Sequence, residues 1–151
     1  MVSGMDKDNL FAVNLPLLQG LRVLVVDKSV DCCDLLELQL GLYGVEVRKA
    51  FLAQQALKIF LEWQPDILVT NIALPEVDGF ALAQQTRTIA VERRQALLIV
   101  ATTTYISEEM RQYALSNVFD LWFTKPLDIN HFLTVLAYSM ISYNPPLVKV
   151  F

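Results

Sequence analysis

Five short runs of aliphatic and β-branched residues recur along the chain, and a longer segment with helical patterning follows each of them. We predict five strands, at 22–27, 45–49, 66–71, 97–102 and 120–124. We predict five helices, at 29–43, 53–63, 79–91, 107–117 and 128–141. Runs such as RVLVVD and LLIVAT are almost continuously apolar, which is typical of strands buried on both faces. The alternation of strand and helix therefore predicts an α/β fold, with a parallel sheet covered by helices on both faces.

The chain length fits one domain with a substantial core, since 151 residues leave no room for two domains of ordinary size. We predict that this domain spans residues 21–142. Residues 1–20 form an N-terminal arm with scattered apolar residues, closed by Gly20, and residues 143–151 form a C-terminal tail. The tail contains two prolines, which cannot continue the last helix.

Charge and hydropathy exclude several classes of protein. The net charge of −4 argues against nucleic acid as a partner, because such a surface needs clustered lysine and arginine. No apolar stretch approaches the roughly 20 residues that span a bilayer, and the N-terminus has no apolar core of signal-peptide length. We therefore expect a cytoplasmic protein with no membrane contact. Cys32 and Cys33 are interpreted as reduced thiols, because adjacent cysteines cannot close a useful disulfide loop.

Polar side chains end or follow several of the predicted strands. In a doubly wound parallel sheet, functional groups gather at the carboxyl ends of the strands. The residues at these ends are Asp27 and Lys28, Asn71, residues 101–103, and Lys125. We expect them to lie together and to form the candidate site.

Three segments, in consistent order and spacing, resemble the receiver domain of two-component response regulators. They are GVEVRKAFLAQQAL (44–57), PDILVTNIALPEVDGF (65–80) and TKPLD (124–128). The resemblance extends over residues 21–142. It implies a three-layer, flavodoxin-like fold, in which a doubly wound five-stranded parallel sheet has the strand order 2-1-3-4-5.

The resemblance also implies a phosphorylation site at the strand ends. In a working receiver, an aspartate takes a phosphoryl group from a histidine of a partner, with the help of Mg²⁺, a lysine and a hydroxyl. The resemblance places Asp27 and Lys28 at the acidic metal-binding positions and Asn71 at the phosphoacceptor position. Ala73 falls where a backbone carbonyl binds the metal, and Lys125 matches the conserved lysine. The hydroxyl falls at Ala101 or Thr102, of which we prefer Thr102.

Two of the three acidic residues that the resemblance requires are missing. Asn71 has a neutral amide whose nitrogen lone pair is delocalised, so it cannot attack phosphorus. Lys28 brings a positive charge to a metal-binding position. The charges of Asp27, Lys28 and Lys125 together give the site a net charge of +1. We therefore predict a degenerate receiver that binds no Mg²⁺ or other cofactor, in which Asp27 pairs with Lys125 or Lys28.

Trp122 stands at the position of the family's switch aromatic, on the surface through which receivers usually signal. We predict that Trp122 is partly exposed and that Phe123 is buried, because alternate residues of a strand point to opposite faces of the sheet. Exposed aromatic residues are favoured interface anchors, so we expect a homodimer, formed through this face or through the arm or the tail. His131, the one histidine of the sequence, is expected to be a solvated side chain.

The leading interpretation is a phosphorylation-independent receiver, not an enzyme, that acts as an interaction module in two-component signalling. Its partner would be a histidine kinase or another regulator. One alternative is a receiver that is still phosphorylated, either at another residue or at Asn71 after deamidation. A second alternative is a flavodoxin-like protein that binds a small molecule or flavin. The loop DKSVDCCD after the first strand argues against a flavin, because its three aspartates oppose a phosphate.

Overall fold

The protein is described here by a computed structural model that covers residues 15–104 and 107–142. Its strands are β1 Arg22–Val26, β2 Glu46–Ala50, β3 Ile67–Asn71, β4 Leu98–Thr103 and β5 Leu121–Thr124. Its helices are α1 Val30–Gly41, α2 Ala53–Trp63, α3 Gly79–Arg93, α4 Glu108–Asn117 and α5 Ile129–Ser142. A 3₁₀ turn, η1, precedes them at Leu15–Leu18. Every predicted strand and helix is present, with its ends within about two residues of the predicted ones.

The strands form one parallel sheet in the order β2-β1-β3-β4-β5, which confirms the predicted order. The central strands β3 and β4 are buried along their whole length, as their apolar runs predict, whereas the edge strand β5 is only partly buried. All strands are parallel, but β2 is added on one side of β1, and β3 to β5 are added on the other. The carboxyl ends of β1 and β3 therefore meet at the topological switch point.

Side-chain caps start four of the helices. Ser29, Asp78, Ser107 and Asp128 each accept a hydrogen bond from the backbone N–H three residues later, at 3.2, 2.9, 3.2 and 3.2 Å. These bonds satisfy N–H groups that the first turn of a helix leaves unpaired. All four helices begin at the carboxyl edge of the sheet, so the caps also hold the loops that surround the candidate site.

Two hydrophobic layers cover the sheet. The layer beneath α2, α3 and α4 contains Leu24, Leu68 and Ile99. The layer beneath α1 and α5 contains Val25, Val69 and Val100. Asn71 and Thr102 each lie two residues beyond a valine of the second layer, so their side chains point to the α1 and α5 side.

The described part of the N-terminal arm packs onto the domain. Leu18 of η1 is buried in the layer beneath α1 and α5, and the Gly20 N–H donates to the Gly44 carbonyl oxygen at 2.8 Å. Residues 1–14 of the predicted arm and the predicted tail at 143–151 lie outside the described residues. Among the helices that the structure describes, none is both long and apolar enough to cross a membrane.

Candidate functional site

Asp27 lies directly after β1 and is almost completely buried, with 3% of its surface exposed. Its Oδ2 accepts a hydrogen bond from Lys125 Nζ at 2.5 Å. Its Oδ1 accepts from the Ser29 N–H at 2.9 Å and from Asn71 Nδ2 at 3.5 Å. Both carboxylate oxygens therefore have partners within the protein, and the negative charge is compensated by one partly buried lysine.

Of the two lysines that were candidates for pairing with Asp27, the structure selects Lys125. Lys125 follows β5, and its backbone N–H donates to the Thr103 carbonyl oxygen at 2.6 Å, which aims the side chain across the strand ends. Lys28 is exposed and makes no ion pair with any residue in the described ranges. Lys28 does not pair with Asp27, although the two residues are neighbours in the chain, because the Lys28 side chain faces solvent.

Asn71 ends β3 and joins the third strand to the ion pair. Its side-chain nitrogen contacts Asp27, and its Oδ1 accepts a hydrogen bond from the Ala73 N–H at 3.3 Å. Only 7% of the Asn71 surface is exposed. The amide therefore bridges Asp27 and the following loop, where Ala73 itself is exposed.

The loop after Asn71 is closed by a glycine that sequence reasoning treated only as a helix start. The Gly79 N–H donates to the Ile72 carbonyl oxygen at 2.8 Å. A Cβ atom at this position would lie 2.3 Å from the Asn71 carbonyl oxygen, so no other residue fits without movement of the backbone. In the sequence, the signal for this close approach of Gly79 to the Asn71 carbonyl oxygen is a helix-capping aspartate, Asp78, followed directly by a glycine.

The register of the sheet places Thr102 directly opposite Asn71 on the neighbouring strand. Thr102 is 3% exposed, and its side chain lies on the same face of the sheet as Asn71. Ala101, the alternative for the hydroxyl position, belongs to the opposite hydrophobic layer. Asp27, Asn71, Thr102 and Lys125 are thus brought together, and among the residues described no group of His, Cys, Asp or Glu is arranged to hold a metal ion.

Residues 23–137 match the family described as the response regulator receiver domain. The chain belongs to this receiver family. Solved receivers share its fold: the receiver domain protein (CheY-like) from Methanospirillum hungatei superposes with a TM-score of 0.74 at 21% identity, covering 82% of this chain and 95% of that one. The family assignment and the fold agree with the resemblance that the three sequence segments indicated.

Two kinds of relative match the receiver. An uncharacterised 14.6 kDa protein in the sodA1 3′ region of Leptolyngbya boryana is 34% identical over 128 residues, which cover 85% of this chain and 96% of that protein. The DNA-binding dual master transcriptional regulator RpaA of Synechocystis is 26% identical over 74% of this chain, but only 46% of its own length. The chain therefore spans about half the length of that regulator.

A row of four aromatic rings leads from the edge of the receiver's sheet to the surface of α4. Trp122 packs edge-on against Phe119 at 6.3 Å between ring centroids, Phe119 against Phe80 at 5.6 Å, and Phe80 against Tyr113 at 6.0 Å. Trp122 is partly exposed, as predicted, and Tyr113 is 55% exposed. We call Phe80, Tyr113, Phe119 and Trp122 the aromatic face.

The prediction that Phe123 is buried is wrong in degree, because its side chain is only partly buried. It points to the side opposite Trp122, as strand alternation requires, and packs against Phe132 and His131 at 4.9 and 5.9 Å between ring centroids. It stays partly accessible because β5 is an edge strand, with a neighbouring strand on one side only. His131 is exposed, as predicted.

The two adjacent cysteines occupy different environments on α1. Cys33 is fully buried, and its Sγ donates to the Asp27 carbonyl oxygen at 3.5 Å. Burial, together with the negative charge of Asp27, raises the pKa of the Cys33 thiol to about 11. Cys32 is partly exposed, and its Sγ lies 3.7 Å from Lys125 Nζ. Sequence reasoning placed both thiols on a helix but had no signal for the contact between Cys32 and Lys125, since these residues are distant in the chain.

Proposed function

We propose that this receiver acts in two-component signalling as a phosphorylation-independent interaction module. The observation that carries the proposal is the state of Asn71 at the phosphoacceptor position. Its amide cannot form an acyl phosphate, and both of its polar ends are engaged by Asp27 and Ala73. A receiver of this kind would signal through the proteins that it binds.

The residues around Asn71 do not fit Mg²⁺, the ion that the family uses. Mg²⁺ is bound through carboxylate oxygens and water, and the one carboxylate among the matched site residues is already paired with Lys125. Displacing that lysine would leave two cations, Lys28 and Lys125, close to the metal. We therefore assign no metal or cofactor to the site and no enzymatic step.

The test of this proposal is phosphoryl transfer from a small-molecule donor. We expect the intact mass of the protein to remain unchanged after incubation with acetyl phosphate and Mg²⁺, beside a control receiver that gains one phosphoryl group. A gain of one phosphoryl group by this protein would contradict the proposal. Peptide mapping would then distinguish an acceptor elsewhere in the chain from Asn71 that has deamidated.

The aromatic face is the surface through which we propose that the receiver binds its partner. Receivers bind signalling proteins such as kinases and regulators, and a histidine kinase or another regulator fits this role. We also propose that two copies of the chain associate through the same face, because partly exposed Trp122 and exposed Tyr113 stand beside an open sheet edge. The net charge of −4 favours proteins over nucleic acid as partners.

The role of the aromatic face in dimerisation can be measured with Tyr113→Ala. Tyr113 is exposed and at the surface end of the row, so its truncation removes an interface anchor with little loss of core packing. We expect the dissociation constant of the homodimer to rise by about tenfold, as measured by sedimentation equilibrium. Tyr138→Ala is the matched control, because Tyr138 is an exposed tyrosine on α5, away from the aromatic face. An equal effect of both variants, or a monomeric parent protein, would show that this face does not join two copies.

A further inference from the structure

A cavity of about 220 Å³ opens beside the Asp27–Lys125 ion pair, between α1 and the segment that follows β5. Its apolar walls include Val25 of β1, Leu35 and Leu36 of α1, and Leu127. Its polar end is formed by Thr102 and Lys125, next to Asp27. For comparison, an apolar cavity of about 150 Å³ is large enough to bind benzene. The space therefore suits a molecule of about ten non-hydrogen atoms.

The polar end of the cavity has hydrogen-bond donors to spare. Thr102 is 3% exposed, and its hydroxyl makes no hydrogen bond to any residue within 15–104 or 107–142. Lys125 carries three N–H donors, of which one is used by Asp27, while Cys32 is only a weak acceptor at 3.7 Å. Thr102 and Lys125 both line the cavity, so an acceptor placed between them would receive hydrogen bonds from both side chains.

The charge of the ion pair decides which acceptor fits. Asp27 neutralises Lys125, and its carboxylate lies next to the polar end of the cavity. The remaining positive charge of the site, on Lys28, faces solvent and is not part of the cavity lining. An anionic head group would be repelled by that carboxylate in a region of low dielectric. A neutral carbonyl oxygen accepts from both donors without this repulsion.

We propose that this cavity binds a small, uncharged, largely apolar molecule that bears a carbonyl group. The carbonyl oxygen accepts hydrogen bonds from the Thr102 hydroxyl and Lys125 Nζ, and the apolar part packs against Leu35, Leu36 and Leu127. The bound molecule lies against α1 and the Lys125–Pro126 step, so it stabilises the arrangement of the ion pair.

The probe for this site is benzamide, which combines an uncharged carbonyl group with a ring that the cavity can hold. We expect benzamide to shift the backbone amide NMR signals of Leu35, Leu36, Thr102 and Leu127. Its dissociation constant should be at least about fivefold lower than those of benzoate, which adds a charge, and toluene, which lacks the carbonyl. Thr102→Val should weaken benzamide binding by about fivefold. Thr103→Val is the matched control and should have no effect, because Thr103 is equally buried but lies on the opposite face of the sheet.

The two cysteines supply an independent readout in the unmodified protein. Cys32 lines the cavity, so benzamide should slow its alkylation by iodoacetamide, while buried Cys33 stays unmodified with or without the probe. The proposal is overturned if benzamide causes no shifts up to its solubility limit, or shifts elsewhere only. Tighter binding of benzoate would overturn the uncharged class of ligand, and equal binding of toluene would overturn the role of Thr102 and Lys125. If Thr102→Val fails to fold, the dissociation constants of benzamide, benzoate and toluene for the unmodified protein still test the proposal.

Discussion

Lys125→Met is expected to lower the free energy of unfolding by about 3 kcal/mol, because it leaves the Asp27 carboxylate buried without its counter-charge. Asp27 would keep its hydrogen bonds from Ser29 and Asn71, which is why the expected loss lies at the lower end of the range for broken buried ion pairs. The measurement is urea unfolding followed by circular dichroism. Methionine retains the length of the side chain, so the loss reports the charge and its hydrogen bond more than the packing.

Lys28→Met is the matched control for this experiment. Lys28 is the neighbour of Asp27 but is exposed and unpaired within the described ranges, so its replacement should change stability by no more than about 0.5 kcal/mol. The double variant Asp27→Asn with Lys125→Met removes both charges and should be more stable than the sum of the two single losses predicts. If Lys125→Met cost no more than Lys28→Met, the ion pair would not exist in solution.

Asn71→Asp combined with Lys28→Asp is expected to create a Mg²⁺ site at the position where we propose that the parent protein binds no metal. The two changes surround Asp27 with carboxylates and remove the exposed cation, which reverses the sign of the local charge. We expect a dissociation constant on the order of 1 mM by isothermal titration calorimetry. The same variant should gain one phosphoryl group from acetyl phosphate, with Asp at position 71 as the nucleophile.

The single variants separate the contributions of the two positions. Asn71→Asp reproduces the product of deamidation but retains Lys28, so we expect it to bind Mg²⁺ more weakly than the double variant by at least about tenfold. Added carboxylates repel Asp27, so the double variant should also be less stable than the parent without Mg²⁺ and should be stabilised when Mg²⁺ is added. A double variant that folds but binds no metal would contradict the assignment of Asn71 and Lys28 to the family's positions. Equal Mg²⁺ binding by the parent protein would contradict the degenerate interpretation.

These two experiments bear on one structural feature, the ion pair between strands β1 and β5. In the parent protein, Lys125 compensates Asp27 through a direct contact between Nζ and Oδ2. Restoring the acids at positions 28 and 71 would set Mg²⁺ in competition with Lys125 for the same carboxylate. The stability of the pair, measured with Lys125→Met, therefore limits how tightly the restored site can bind metal.

Local patterns were sufficient to predict the elements of the fold. Most of the strands, such as β1, β3 and β4, are short apolar runs. Several helices follow a recognisable start, as at Ser29 and Asp78, whose capping bonds join residues three apart. The residues of the candidate site could also be predicted, because in a parallel sheet the residues after the strands meet at one edge. Both inferences rest on interactions between residues close in the chain, or on the topology that such elements must adopt.

The partners of the site residues depended on contacts between distant segments. Asp27 pairs with Lys125, 98 positions away, and not with Lys28 next to it. The choice between Ala101 and Thr102 depended on the register of β4, since a shift of one residue exchanges the two faces of the sheet. The cavity is formed where α1 packs beside the segment after β5. Pairing, register and empty space are properties of how separate elements pack together, so only the tertiary structure decided them.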